Sequence, residues 1–202
     1  MGTKFKNSIN YLFTPLRLMI SHDFANKINL KSIRDERNDI VSRYVKGRLL
    51  DIGCGMNLLV NRYGKLNSIG IDVHDFGAGA TIVKNSAELP FEDNSFDTVS
   101  FVASFNHIPN REEVVLEARR VLRKGGVAVV TMLDPFIGKL RHKMDWVDKA
   151  ESRRFVASKQ NGEQQGLSYD YIENLFLKTG FKLKLKKKFL LFLNNLYVFE
   201  KI

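Results

Sequence analysis

The sequence contains a single cysteine, Cys54, among 202 residues. One thiol excludes an intrachain disulfide and any cluster of cysteine metal ligands, and it points to a reducing compartment, with cytoplasm the default expectation. Long apolar runs are also missing. The longest near the start, Tyr11 to Ile20, is interrupted by Thr14, Pro15 and Arg17, and no small-residue cleavage site follows it, so neither a signal peptide nor a spanning helix is expected. Lys6 stands where a myristoylation pattern needs Ser or Thr. No internal repeat or low-complexity linker is visible, and no spaced His or Cys pattern predicts a metal.

What is present is a chain able to bury a core, with 44% hydrophobic and 27% charged residues and a formal net charge of +10. The charge is uneven. Residues 1–47 hold nine basic and four acidic side chains, residues 48–133 nine and ten, and residues 134–202 fourteen and eight. A neutral centre between basic ends predicts a catalytic module with positively charged accessory surfaces, whose partner is RNA, an anionic membrane surface or an acidic substrate.

The centre alternates short apolar runs with helical patterns, the spacing of consecutive βα units and of a mostly parallel sheet. Strands are expected at Arg48 to Ile52, Ser68 to Asp72, Ala80 to Lys84, Phe96 to Val102 and Val127 to Leu133. Asn110 to Leu122 reads as a helix with an Asn110/Glu113 capping box and a stripe of Val115, Ala118 and Leu122, ended by Gly125 and Gly126. Ser168 opens another helix with Ile172, Leu175 and Phe176 inward, which Gly180 closes before two last strands, Phe181 to Lys188 and Leu196 to Glu200. One domain is therefore expected, with a helical N-terminal cap over 1–47, a core over 48–133, an insert or lid over 134–167, and a C-terminal helix and strands over 168–202.

The chemistry concentrates in Leu49, Leu50, Asp51, Ile52, Gly53, Cys54, Gly55, an apolar strand ending in an acid and a Gly-x-Gly turn. The glycines let the backbone turn sharply and approach a ligand, and the Asp51 carboxylate meets a cationic or donor group. Seventeen residues after Gly55 a second strand ends in Asp72, placed to accept both hydroxyls of a ribose, so a nucleoside-containing cofactor is expected. The dinucleotide fingerprint is broken by Leu58 at its third glycine position, which disfavours a dehydrogenase. Cys54 reads as a small turn residue in contact with the cofactor rather than as a nucleophile, because no base accompanies it in sequence. Asn57, able to adopt a left-handed conformation, is expected to cap a short helix over Leu58 to Tyr63.

These motifs resemble the class I S-adenosylmethionine-dependent methyltransferases of the type 11 group, closely over about residues 47–133 and loosely beyond. The resemblance implies a Rossmann-like α/β fold, a mostly parallel seven-stranded sheet with helices on both faces and an antiparallel C-terminal strand. It implies S-adenosyl-L-methionine as cofactor, with Asp51, Gly53 and Gly55 at its methionine part, Asp72 at the ribose and Val73 beside the adenine. Asn85, Ser86, Ala87, Glu88, Leu89, Pro90, Phe91 resembles the family's adenine-binding stretch, with Asn85 in place of an Asp; its amide oxygen can accept from the adenine amino group, and Ser86 follows it.

His107, after the fourth strand, is a candidate to orient or deprotonate an acceptor, or a packed pocket floor, and Asn106 shares its position. Methyl transfer from a sulfonium is an in-line displacement with an excellent leaving group, so alignment supplies much of the rate and a dedicated base is not required. Asp134 at the end of the fifth strand, and Arg141 and Trp146 in the insert, are candidate acceptor contacts. Lys182, Lys184, Lys186 and Lys188 should share one strand face, as protection of an edge or as a positive rim for phosphate or anionic lipid. The expected activity is methyl transfer to a small-molecule or lipid-linked, anionic acceptor, with peripheral membrane contact. RNA methylation is the alternative, weakened by the absence of an "NPPY"-like motif and of an RNA-binding module, and a non-catalytic scaffold is the third reading.

Overall fold

The computed structural model describes residues 12–20, 22–65, 67–135 and 167–202. Most of the expected insert, with Arg141 and Trp146, lies outside the described residues. In chain order the elements are α1 (Thr14–Met19), α2 (His22–Lys27), α3 (Ile33–Ser42), β1 (Leu49–Ile52), α4 (Leu58–Tyr63), β2 (Ile69–Asp72), β3 (Thr81–Ile82), β4 (Phe96–Val102), a 3-10 turn (Phe105–His107), α5 (Arg111–Val121), β5 (Leu122–Leu133), α6 (Tyr169–Lys178), β6 (Phe181–Phe189) and β7 (Asn194–Lys201).

The strands form one seven-stranded sheet in the order β3-β2-β1-β4-β5-β7-β6. The first five pair in parallel, and β7 runs antiparallel to both β5 and β6. Strand order reverses between β1 and β4, and the crevice at the carboxyl ends of strands flanking such a reversal is where this architecture takes ligands.

Each face of the sheet is covered. On one, α5 and α6 bury Val114, Val115, Ala118 and Val121 with Ile172, Leu175 and Phe176, and the Phe176 ring stacks on Phe199 at 4.3 Å between centroids. Burying one such phenylalanine contributes about 1.5–3 kcal/mol. On the other, α3 and α4 cover Leu49, Val127, Val129, Leu196 and Val198 with Ile33, Val41 and Leu59. The two stripes expected from helical periodicity are therefore the two helices' inward faces. Among the described residues no helix is long and apolar enough to cross a membrane.

Local departures have local causes. β3 is a two-residue, exposed edge strand rather than five residues, as suits an edge that must not template further pairing. The helix α5 ends at Val121, before Gly125 and Gly126, and β5 begins at once. Its register against β4 jumps between Phe96 and Thr98, so residues 123–126 bulge from the ladder. Asn110 caps no backbone N–H of α5; its amide donates to the Asn85 oxygen at 3.1 Å. Ser168 does cap α6, accepting from the Tyr171 N–H.

The lysine comb is divided. In β6 a bulge between Leu183 and Leu185 leaves Lys184 without a partner position on β7. Side chains alternate from that point in opposite phase. Lys186 and Lys188 consequently share the face of Tyr197, whereas Lys182 and Lys187 lie on the other face.

Candidate active site

At the carboxyl end of β1 the chain turns through Gly53 to Gly55 and enters α4. The N–H groups of Gly53 and Cys54 both donate to the Ile71 carbonyl, at 2.9 and 3.0 Å, which fastens the turn to β2. Gly53 has φ +72°, and a Cβ there would stand 2.5 Å from the Ser104 Cβ, so both conformation and space require glycine. Ser104 in turn donates its hydroxyl to the Ile52 carbonyl at 2.6 Å. Gly70, inside β2, has a related reason: a Cβ would fall 2.1 Å from the Asn57 amide oxygen.

Asp51, next to last in β1, and Asp72, the last residue of the adjacent β2, are both buried. The Ser100 hydroxyl on β4 donates to Asp51 Oδ1 at 2.6 Å. Asp72 accepts from the Gly55 N–H at 2.9 Å on one oxygen and from the His74 N–H at 3.1 Å on the other. It thus binds the Gly-x-Gly turn to its own strand end, a structural duty beyond the ligand contact expected from sequence. Val73, next to it, is exposed. Asn57 adopts the left-handed conformation (φ 52°) but makes no side-chain cap of α4; its amide crosses to the Gly79 carbonyl at 3.2 Å and ties the turn to the loop after β2.

The loop after β3 carries Asn85 and buried Ser86. Asn85 Oδ1 accepts from the Ala87 N–H at 3.0 Å and from Asn110 at 3.1 Å. The side-chain oxygen expected to serve adenine is thus engaged twice by the protein. Glu117 of α5 accepts from the Leu89 N–H at 2.7 Å, and Arg120 donates to the Leu89 carbonyl at 3.2 Å. Arg120 also hydrogen-bonds Glu117 and holds its carboxyl below the usual range, against the opposing effect of burial.

Beyond β4 the 3-10 turn presents Asn106 and His107, both half-buried. The Asn106 amide nitrogen lies 3.2 Å from His107 Nε2. Buried Arg111 reaches back from the first turn of α5, Nε to the Phe105 carbonyl at 3.1 Å and Nη2 to the Asn106 carbonyl at 2.9 Å. Asp134 follows β5, donates its N–H to the Leu193 carbonyl at 2.8 Å and accepts from the Tyr169 hydroxyl. Burial first, and then Asp134, push the Tyr169 hydroxyl above its ordinary pKa. The Lys186 and Lys188 ammonium groups each lie 5.5 Å from the Tyr169 ring centre.

Asp51, the glycine turn, Asp72, Val73, Asn85, Ser86, Asn106, His107 and Asp134 thus all belong to the carboxyl edge of the sheet. Ser100, Ser104, Gly70, Arg111 and Tyr169 were not expected from sequence. Arg111 carried a signal: a cation in the first turn of a helix opposes the helix dipole, and a broken local rule marks a residue with other work.

A parallel sheet with an antiparallel strand inserted before its last edge, covered on both faces, with acids closing β1 and β2, is the class I, Rossmann-like methyltransferase fold. Comparison with known proteins agrees. Residues 50–130 match the methyltransferase domain family. The chain is 32% identical to the sterol 4-C-methyltransferase strm-1 of Caenorhabditis elegans, over 40% of this chain and 29% of that protein. It is 39% identical to the demethylmenaquinone methyltransferase of Thermotoga maritima, over 31% of this chain and 29% of that one. The chain therefore spans less than a third of the length of either relative. A crystal structure of a SAM-dependent methyltransferase from Thermotoga maritima superposes with a TM-score of 0.62 at 19% identity, covering 84% of this chain and 89% of the other. The central segment is similar to the methyltransferase domain family, and S-adenosylmethionine is the cofactor that such a domain implies.

Proposed function

We propose that the chain is an S-adenosylmethionine-dependent methyltransferase acting on a small-molecule or lipid-linked acceptor that carries negative charge. One observation carries the reading: two buried carboxylates, Asp51 and Asp72, close adjacent strands on either side of a turn whose Gly53 excludes a side chain. The donor set suits the cofactor. Asp51 accepts from the ammonium of the methionine part, and the ribose diol donates to Asp72. Val73 flanks the adenine, the backbone at Ser86 meets its edge, and the Asn85 amide nitrogen donates to a ring nitrogen. When bound, S-adenosylmethionine supplies a methyl on a sulfonium, open to in-line displacement.

The chain's own part is alignment. Asn106 and His107 stand on a turn braced by Arg111, and the Asn106 contact orients the imidazole. His107 orients the acceptor or takes its proton, and Asp134 and Tyr169 border the same edge. Lys188 beside Tyr169 supports an anionic acceptor, whereas Lys186 is paired with Glu173. The two relatives act, by their names, on a sterol and on demethylmenaquinone, which supports an apolar body on the acceptor.

The test is titration calorimetry with S-adenosylmethionine, followed by incubation of the protein, methyl-labelled cofactor and either a lipid extract or an aqueous metabolite extract. Micromolar binding and label in an organic-phase anion are expected. Failure of the cofactor to bind would overturn the reading; label appearing only in added RNA would replace the acceptor class.

A further inference from the structure

The connection between β6 and β7 has an unusual backbone. Leu190, Leu191 and Phe192 are consecutive and all left-handed, with φ of 52°, 52° and 66°. Single non-glycine residues adopt this conformation uncommonly, and three in succession persist only where the surroundings enforce them. Here the enforcement is visible. Leu190 is buried in the apolar cluster under α3. The Leu193 N–H donates to the Leu190 carbonyl at 3.1 Å, and the Leu193 carbonyl accepts from the Asp134 N–H. Arg37 donates to the Asn194 side-chain oxygen at 2.9 Å. The product of all this restraint is Phe192, held outward and 66% exposed.

Lys187 and Lys188 precede the turn, are both exposed, and sit on opposite faces of β6, as successive strand residues do. They therefore flank the tip on both sides. On the same edge Leu16 of α1, and Leu12 and Phe13 just before it, are exposed. The helix is fastened there by Arg17, which donates to the Lys31 carbonyl and to Glu36 at the start of α3. The neighbouring residue Ile33 packs in the cluster that holds Phe189 and Leu190.

We propose that this edge docks on an anionic phospholipid surface, with Phe192 inserted as a fixed wedge, Lys187 and Lys188 on headgroup phosphates, and the exposed face of α1 as a second point of contact. An exposed aromatic flanked by cations, with a further exposed apolar face on another element, matches a surface of headgroups over acyl chains. Both contributing segments are the basic ends of the chain, so the charge complements anionic lipid. Because Asp134 is bonded to the same turn, docking would turn the carboxyl edge of the sheet towards the bilayer. The proposal does not depend on methyl transfer.

The test is co-sedimentation of the full chain with vesicles of phosphatidylcholine containing about a third phosphatidylglycerol, and with pure phosphatidylcholine. Binding to the anionic vesicles only is expected. Phe192→Ser, and separately Lys187→Glu, should each weaken it about tenfold or more, while S-adenosylmethionine affinity stays at the parent value and reports an intact fold. Phe192→Trp in a Trp146→Phe background should shift its fluorescence to the blue on adding the anionic vesicles. No vesicle binding, unchanged binding of both variants, or an unshifted spectrum would each overturn the proposal. So would a concentration-dependent dimer abolished by Phe192→Ser, which would make the occupant a second copy.

Discussion

Ser100 on β4 donates its hydroxyl to Asp51 on β1 at 2.6 Å, across two strands paired in register at those residues. A buried carboxylate aimed by a neighbouring strand is fixed before any ligand arrives. Ser100→Ala removes that donor without adding bulk and costs about 1–2 kcal/mol where the acceptor stays buried. Calorimetry should show S-adenosylmethionine binding weakened about fivefold to tenfold, with the cooperative thermal transition retained. An unchanged dissociation constant would mean that Asp51 is held by the fold alone.

Asp72 has two duties that substitutions can separate. Asp72→Asn keeps one acceptor oxygen for the backbone but loses the charge, whereas Asp72→Ala loses both anchors of the turn. Cofactor affinity should fall more than tenfold in the alanine variant, about 1.4 kcal/mol or more, with lowered thermal stability. The asparagine variant should lose affinity with less loss of stability. Equal melting temperatures for the two variants would remove the anchoring role.

Arg111 holds the carbonyls of Phe105 and Asn106 and so fixes the turn that carries His107. Arg111→Met keeps the packing but leaves two carbonyls without their charged donor, a loss of about 2–4 kcal/mol. Once an acceptor is in hand, kcat should drop by at least tenfold with a smaller change in KM, because misplacement at a reacting centre costs rate before it costs binding. Lost stability with an unchanged kcat would reduce Arg111 to a structural brace.

Much of the site was legible because it is local. The runs Leu49 to Gly55 and Ser68 to Asp72 each carry an acid where an apolar strand gives way to a turn, and the structure finds Asp51 next to the end of β1 and Asp72 at the end of β2. Helices α5 and α6 were legible for the same reason, since periodicity alone names Val115, Ala118, Ile172 and Phe176 as inward. What pairs across the sheet was not legible. Ser100 meets Asp51 from 49 residues away and Arg37 meets Asn194 from 157, and nothing in local sequence encodes such a partner. The bulge at Lys184 belongs here too: alternation predicts one lysine face, and only the β7 register shows that it changes sides.

Glu117 and Arg120 together clamp Leu89, the acid taking its N–H and the guanidinium its carbonyl, and they hold the loop that carries Asn85 and Ser86. Arg120 depresses the Glu117 carboxyl below its ordinary range, with burial opposing. A carboxylate whose folded pKa lies below its unfolded value of about 4.3 contributes fully above that value, and the contribution is lost as pH falls through the folded pKa. Glu117→Gln should therefore lower stability at pH 7 by about 1–2 kcal/mol, or about 2–8 °C in Tm for a chain of this size. The difference between parent and variant should shrink towards zero as the solution is acidified below about pH 4. Thermal denaturation from pH 3 to pH 7 checks this, and a difference that does not change with pH would show that the clamp works through packing and not through the charge on Glu117.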